Sequence, residues 1–172
     1  MTEPNYAKEQ AKAQYESICD MVAALEVDYD RLEELRTNAQ AAEANPDEPE
    51  DYPALDADDQ AEYEALQAAA GDCENQDAAR DRIQEDPLSV QVRSGWYSPG
   101  WSDQFGNQPP EEFEILLCTG GPAVRIMGEL DEYGQPVKAW MEHQDWFKPW
   151  TQWSGADQEV LLAYCREFYF GG

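Results

Sequence analysis

Between Arg36 and Arg80 the chain contains no Lys or Arg, although thirteen Asp and Glu residues fall within that interval. The densest part is NPDEPEDYPALDADDQAEYE, residues 45–64. Unpaired charges of one sign repel each other and oppose compaction. This interval is therefore poorly suited to form a core, and a folded chain has to keep it at the surface of a structure that other residues stabilise.

The acidic and the aromatic residues lie in different halves of the chain. Of 172 residues, 37 are acidic and 11 are basic, which gives a formal net charge of −26. Residues 1–86 contain 25 of the acidic side chains, whereas all six Trp residues lie after Pro87. This asymmetry predicts two domains, an acidic helical one at 1–86 and one with an aromatic core at 87–172. High charge and low hydrophobicity leave both order and disorder open for residues 40–57.

Apolar residues in the first forty positions recur at alternating spacings of four and three. This heptad pattern predicts one long helix from about residue 5 to 42. Pro46, Pro49 and Pro53 end that helix, and an Asp at position 56 or 58 is suited to cap a second one. Two helices with narrow apolar seams predict an antiparallel helical hairpin, and exposed heptad positions would allow a homodimer through the first helix. The seam residues are Ala11, Tyr15, Ile18, Val22, Leu25, Tyr29 and Leu32.

After Pro87 the apolar pattern changes to that of β-strands. LSVQVRSGW alternates, FEILLCT and AVRIMGEL flank the turn residues GGP, and VKAWMEHQDW follows a second turn. SGADQEVLLAYCREFYF is helical in pattern. We expect an α+β fold, with the acidic hairpin followed by a small antiparallel sheet of three or four strands packed on a C-terminal helix. Four Trp residues are expected between sheet and helix, at 140, 146, 150 and 153, and an exposed aromatic patch is the alternative at Trp96, Tyr97 or Trp101.

The sequence offers little support for enzyme or metal chemistry. Cys118 and His143 could form a nucleophile–base pair, but a buried strand end and a glycine turn explain these residues equally well. DADDQAEYEALQ, residues 56–67, has acids at several EF-hand positions, yet Ala61 and Gln67 replace the required Gly and Glu. No phosphate-binding glycine motif is present. We therefore expect a protein that is not an enzyme, with no catalytic residues, no metal site and no cofactor.

Targeting signals are also missing from the sequence. The N-terminal stretch lacks an apolar run, and no segment approaches the roughly 18 apolar residues of a membrane span. The four Cys residues are widely separated, which favours free thiols. These features predict a cytoplasmic protein that does not bind membranes.

Several separate stretches resemble small acidic proteins encoded by bacteriophages, prophages and plasmids. They are SVQVRSGWYSPG, EFEILLCTGGPAVRIMGELDEYGQP, QDWFKPWTQW and LLAYCREFYFGG, within about residues 86–172, together with DYDRLEELR at 28–36. The resemblance implies a mobile-element setting in a bacterial host. Small acidic proteins in that setting often act as DNA mimics that inhibit CRISPR complexes or restriction enzymes. The resemblance implies no active-site residues.

The net charge of the protein limits the functional classes to which it could belong. A net charge of −26 opposes direct binding to nucleic acid, whose phosphates carry the same sign. Acids at helical spacing on Glu26–Glu34 and on Asp58–Glu64 would form two rows, comparable in density to the two strands of a duplex. We therefore predict a DNA mimic that occupies the basic channel of a host defence protein. The alternatives are an adaptor that binds through the heptad seam with incidental acidity, and a partly disordered acidic linker.

The predicted partner-binding residues are Glu26, Asp28, Asp30, Glu33, Glu34, Glu43, Asp47, Glu48, Glu50, Asp51, Asp56, Asp58, Asp59, Glu62 and Glu64.

Overall fold

The computed structural model describes residues 6–96 and 109–171. Its elements, in chain order, are α1 (Tyr6–Leu25), α2 (Tyr29–Ala44), α3 (Ala57–Ala70), α4 (Gln76–Glu85), β1 (Ser89–Arg93), β2 (Glu112–Cys118), β3 (Ala123–Leu130), β4 (Pro136–Gln144), β5 (Thr151–Trp153) and α5 (Gln158–Cys165). The predicted α+β class, with helices first, then an antiparallel sheet and a C-terminal helix, is confirmed. Tyr97 and Trp101 lie outside the described residues.

The described sheet has five antiparallel strands in the order β1-β2-β3-β4-β5, so the expected three or four strands were too few. The additional strand is β5, which pairs Trp153 with Met141 and Gln152 with Glu142 of β4. Three residues are too short to show the alternation by which a strand is recognised in a sequence, and Pro149 just before β5 favours a turn.

Both predicted hairpin turns connect neighbouring strands. Gly120 and Gly121, between β2 and β3, have φ angles of +109° and +93°, a region that side chains with a Cβ rarely adopt. The β3–β4 turn is closed by the Asp131 carboxylate, which accepts hydrogen bonds from the backbone N–H groups of Tyr133 and Gln135, both at 2.9 Å. Local turn chemistry therefore sets the register of the three central strands.

One face of the sheet forms the main core. Phe113, Ile115, Ile126 and Met141 point to this face and are fully buried, and α5 packs on β4. Gly128 in the middle of β3 leaves room for Phe113, because an added Cβ would lie 2.1 Å from the Cζ of that ring. The alternation in β2, β3 and β4 thus separates a buried face from a half-exposed one.

The predicted long first helix is in fact two helices. α1 ends at Leu25, and Asp28 caps α2 by accepting a hydrogen bond from the Arg31 N–H at 3.0 Å. Asp favours N-cap positions because its carboxylate satisfies a free N–H group there, and this preference divides the helix although the heptad spacing continues. The Tyr29 hydroxyl donates to the Ala24 carbonyl across the break at 2.9 Å. Together with α4, this gives four helices before the sheet among the described residues.

The predicted cap of the next helix is confirmed. Asp56 accepts hydrogen bonds from the N–H groups of Asp58 and Asp59 at the start of α3. α3 packs on α2, and a small apolar cluster lies between them. Its buried members are Val27, Leu32 and Ala70, and its half-buried members are Tyr29, Tyr63, Leu66 and Ala69.

The chain forms two compact units. The first, which we call the sheet unit, comprises residues 1–19 and 82–172, and the second, the acidic unit, comprises residues 20–81. The predicted boundary near residue 86 separates domains that would fold independently. Two compact units do not test independent folding, so this boundary stays a prediction. Of the helices described, none is both long and apolar enough to cross a membrane.

Candidate functional site

The acidic unit holds most of the net charge of the protein. Residues 20–81 contain 20 acidic and 3 basic side chains, so they contribute −17 of the −26. All fifteen predicted partner-binding residues lie in this unit, and we refer to them as the acidic set. Every member is exposed except Asp59, which is half-buried. The acidic set therefore lies almost wholly at the surface.

The centre of the acidic set is a connection of hydrogen-bonded turns. α2 continues to Ala44, and the Asn45 side chain donates to the Ala41 carbonyl at 2.8 Å. The Glu48 N–H then donates to the Asn45 carbonyl at 3.1 Å, and the Asp51 and Tyr52 N–H groups donate to the Glu48 carbonyl at 3.2 and 3.0 Å. These bonds give Asp47, Glu48, Glu50 and Asp51 a defined backbone between two helices.

Arg31 joins the acidic residues of α2 and α3. Its guanidinium donates to Glu34 at 3.0 Å, to Asp59 at 2.6 Å, and to Glu62 at 2.8 Å through Nη2 and 3.1 Å through Nε. These bonds, that to Glu62 first and that to Glu34 next, raise the pKa of Arg31 above its ordinary value. One positive charge therefore fixes three carboxylates and leaves a local excess of two negative charges.

Other members of the acidic set also have structural contacts. Asp28 and Asp56 are N-caps, Glu33 pairs with Arg36 at 3.1 Å, and Glu64 accepts a hydrogen bond from Gln60 at 2.7 Å. The remaining members form no ion pair with a Lys or Arg of the described residues. They are Glu26, Asp30, Glu43, Asp47, Glu48, Glu50, Asp51 and Asp58.

The two separate acidic rows expected from the sequence need correction. Glu26 lies in the break between α1 and α2, so it does not continue the row of Asp30 and Glu34 on one helix. Arg31 binds acids of both helices and so joins the rows that were expected to stand apart. Glu64 lies two residues beyond Glu62, about 200° around the helix, and faces another direction. The acids lie on one surface, and their side chains point in several directions.

The structure does not assemble the alternative sites considered from the sequence. In the sheet register, Val124 of β3 lies between Cys118 of β2 and His143 of β4. Two strand spacings place the Cys and His backbones about 10 Å apart, too far for a hydrogen-bonded pair. The EF-hand-like residues 57–67 form part of α3 instead of a loop. Among the residues described, no three potential metal ligands cluster together.

The heptad seam is packed within the chain. Ala11, Ile18, Val22 and Leu32 are buried, and the other seam residues are half-buried. A partner helix or a second copy would have to displace these internal contacts to reach the seam. The adaptor alternative and the dimer through the first helix stay predictions, and either would have to displace these contacts.

A cluster that the sequence prediction missed lies on the half-exposed face of the sheet. Arg125 of β3 donates to Glu114 of β2 at 2.5 Å and to Glu142 of β4 at 2.9 Å through Nε and 2.7 Å through Nη2, and it lies 4.1 Å from the centre of the Trp150 ring. Glu142 also accepts a hydrogen bond from the Trp140 indole at 3.0 Å. Charged residues at alternate positions of three neighbouring strands would have indicated this cluster.

Three of the four tryptophans predicted between sheet and helix lie elsewhere, and two of these, Trp140 and Trp150, contact Glu142 and Arg125 on the half-exposed face. Trp153 packs edge-on against Tyr15, and Trp150 stacks on Arg125. Trp146 is 62% exposed, so its predicted place between sheet and helix is wrong. Trp96, part of the alternative patch, is fully exposed.

Comparison with known proteins adds no functional information, since no family model, no curated protein and no solved structure matches the chain.

Proposed function

We propose that the protein is a non-catalytic inhibitor that occupies the basic DNA-binding channel of a host protein through the acidic set. The target class we favour is a CRISPR effector or a restriction enzyme, in keeping with the resemblance to proteins of phages and plasmids. The inhibitor acts in the bacterial cytoplasm by stoichiometric occlusion. It needs no cofactor and does not itself bind nucleic acid.

The observation that carries this proposal is the exposure of the acidic set on a hydrogen-bonded framework. Fourteen of its fifteen members are exposed, and they lie on helices, at helix caps or in linked turns. Carboxylates that are fixed before binding avoid part of the ordering cost of association. Such a surface can exchange its counterions and water for the Lys and Arg side chains of a channel.

The density of charge suits this role. From Asp56 to Glu64 the chain has five carboxylates in nine residues, about 12 Å at the helical rise. One DNA strand carries one negative charge per about 3.4 Å of axis. This segment therefore matches a DNA strand in carboxylates per length, although Arg31 pairs with two of them and the acids point in several directions instead of forming two parallel rows.

The test is competition for DNA. Purified CRISPR surveillance complexes and restriction enzymes would be loaded with labelled DNA and titrated with the protein at low salt and at about 0.3 M salt. We expect the protein to displace DNA from its target, and to do so less well at high salt, because salt screens exposed charges. Release of DNA would be measured by fluorescence anisotropy.

A charge variant and a matched control make the test specific. The variant changes Asp47→Asn, Glu48→Gln, Glu50→Gln and Asp51→Asn, residues whose side chains form no ion pair in the described structure. The control removes four charges from exposed acids of the sheet unit, through Glu9→Gln, Glu85→Gln, Glu132→Gln and Glu159→Gln. We expect displacement to weaken strongly only in the first variant. Equal loss in both would show that net charge alone acts, and no displacement from any target would refute the proposal for this panel.

A further inference from the structure

The turn between β4 and β5 exposes two neighbouring aromatic side chains. Trp146 is 62% exposed and Phe147 is fully exposed, and their ring centres lie 6.0 Å apart. Aromatic residues are enriched at the energetic centres of protein interfaces, because each buries a large area and loses little conformational freedom. We call residues 145–148 the aromatic turn.

The aromatic turn is held in one conformation by several contacts. The Asp145 carboxylate accepts a hydrogen bond from the Trp146 N–H at 2.9 Å and pairs with the Lys148 ammonium at 3.3 Å. The Lys148 N–H donates to the Asp145 carbonyl at 3.1 Å, and the Gln144 side chain donates to the Lys148 carbonyl at 2.8 Å. These bonds fix the backbone from which the two rings project, which lowers the entropy lost on binding.

The indole of Trp146 is also supported from the neighbouring hairpin. It lies against Gly121, where an added Cβ would come within 2.2 Å of the indole Nε1. One side of the ring therefore has a contact within the sheet unit, while much of the remainder faces solvent. Phe147 extends beyond it without a comparable support.

The backbone conformation at position 147 is unfavourable for a Phe residue. Its φ of +59° lies in the left-handed region, and Phe147 is the one residue other than Gly with a positive φ in the described part of the chain. Gly and Asn adopt this conformation far more easily than an aromatic residue. Phe147 is fully exposed at a strained position, and the ring contact given for it is with the neighbouring exposed Trp146, which indicates that its use lies outside the fold.

The charge of the protein limits what could bind the aromatic turn. Anionic lipid surfaces, nucleic acids and a second copy of the chain would all be repelled by a net charge of −26. A basic protein would be attracted. The same class of partner is the one that the acidic set would bind.

We propose that the aromatic turn inserts Phe147, with Trp146 beside it, into an apolar pocket of the DNA-binding protein that the acidic set occupies. This inference rests on the proposed function. It attributes to the aromatic turn the part of the affinity that does not depend on salt. The acidic set supplies attraction that salt weakens, and the aromatic turn supplies burial that salt does not weaken.

The test uses the target found by DNA displacement and the variant Phe147→Asn. We expect this variant to bind the target about 30-fold more weakly at both salt concentrations, which is the size of an interface hot spot. The dependence of affinity on salt should stay that of the unchanged protein. The unfolding temperature should be unchanged or higher, because Asn tolerates the left-handed conformation. The matched control is Tyr133→Asn, an exposed aromatic of the β3–β4 turn, which should bind normally.

The outcomes separate this inference from the proposed function. Displacement by the unchanged protein with a specific loss in Phe147→Asn supports both. Displacement that Phe147→Asn leaves intact overturns the role of the aromatic turn and keeps the acidic set. A panel without displacement removes the proposed function, and the inference then falls with it.

Discussion

The sheet unit and the acidic unit differ in how their carboxylates are paired with basic side chains. On the half-exposed face of the sheet, Glu112 pairs with Arg93, Glu129 pairs with Lys138, and Arg125 holds two further carboxylates. In the acidic unit, three carboxylates share the single positive charge of Arg31. The unit contains three basic side chains and twenty acidic ones. The chain can thus neutralise acids within a fold. The unpaired charge at residues 20–81 therefore follows from the local composition of that unit, which has too few basic residues to pair its acids.

The two units also differ in their cores. The sheet unit buries large side chains completely, among them Phe113, Met141 and Tyr164, and the Tyr164 hydroxyl donates to Asp86 at 2.7 Å. The apolar cluster between α2 and α3 has three buried members, one of them Ala70, and four half-buried ones. The acidic unit also buries Met21 and Leu35 fully, so the difference lies between the α2–α3 cluster and the core of the sheet, of which the core of the sheet is the larger.

The largest expected effect comes from removing core side chains. Phe113→Ala should cost about 4 kcal/mol of unfolding free energy, because it leaves a cavity beside Phe170 and Gly128. Leu32→Ala should cost about 2 kcal/mol, since half-buried neighbours in its cluster can relax into the space. Denaturant unfolding, with hydrogen exchange of β3 and α3 amides to locate the loss, measures both. Equal losses would contradict the difference between the two cores.

A smaller effect is expected from removing the two clustered arginines. Arg125→Met should cost about 2 kcal/mol, because it leaves Glu114 and Glu142 partly buried without a cation. Arg31→Met should cost less, since its carboxylates are more exposed, and added salt should restore much of the loss by screening. Thermal unfolding at low salt and at about 0.5 M salt distinguishes them. The comparison would fail if salt restored both variants equally.

The smallest effect concerns His143, the single histidine of the chain. Burial, with a contribution from Lys8, lowers the pKa of His143 below its ordinary value near 6.5. Below that pH the unfolded chain binds a proton more readily than the folded chain does, so stability is lost as the pH falls from about 6.5. His143→Leu should reduce the loss of stability between pH 7.5 and pH 5.5, measured by denaturant unfolding. An identical loss in both proteins would exclude this role for His143.

Much of the sheet could be predicted from the sequence, because its patterns are local. Alternation identified β1 to β4, and the glycines at 120 and 121 identified a hairpin. Asp56 or Asp58 was expected as a cap, and Asp56 is the cap. β5 could not be predicted in this way, because its pairing with β4 is a tertiary contact of three residues.

The helices and the acidic set were predicted less completely. The heptad spacing continues through residues 26–28, so it did not reveal the break that Asp28 introduces. The exposure of the acids follows from their charge, but the junction of the two rows through Arg31 depends on how α2 and α3 pack. The position of Trp146 likewise depends on its support by Gly121, which no local pattern encodes.

The most direct test of the account asks whether the target can hold DNA and this protein at the same time. Mass photometry of the target with saturating amounts of both would resolve the complexes by mass. We expect two separate populations, target with DNA and target with protein, whose ratio follows the ratio of the two ligands. A stable complex that contains all three would contradict occupation of the DNA channel by the acidic set.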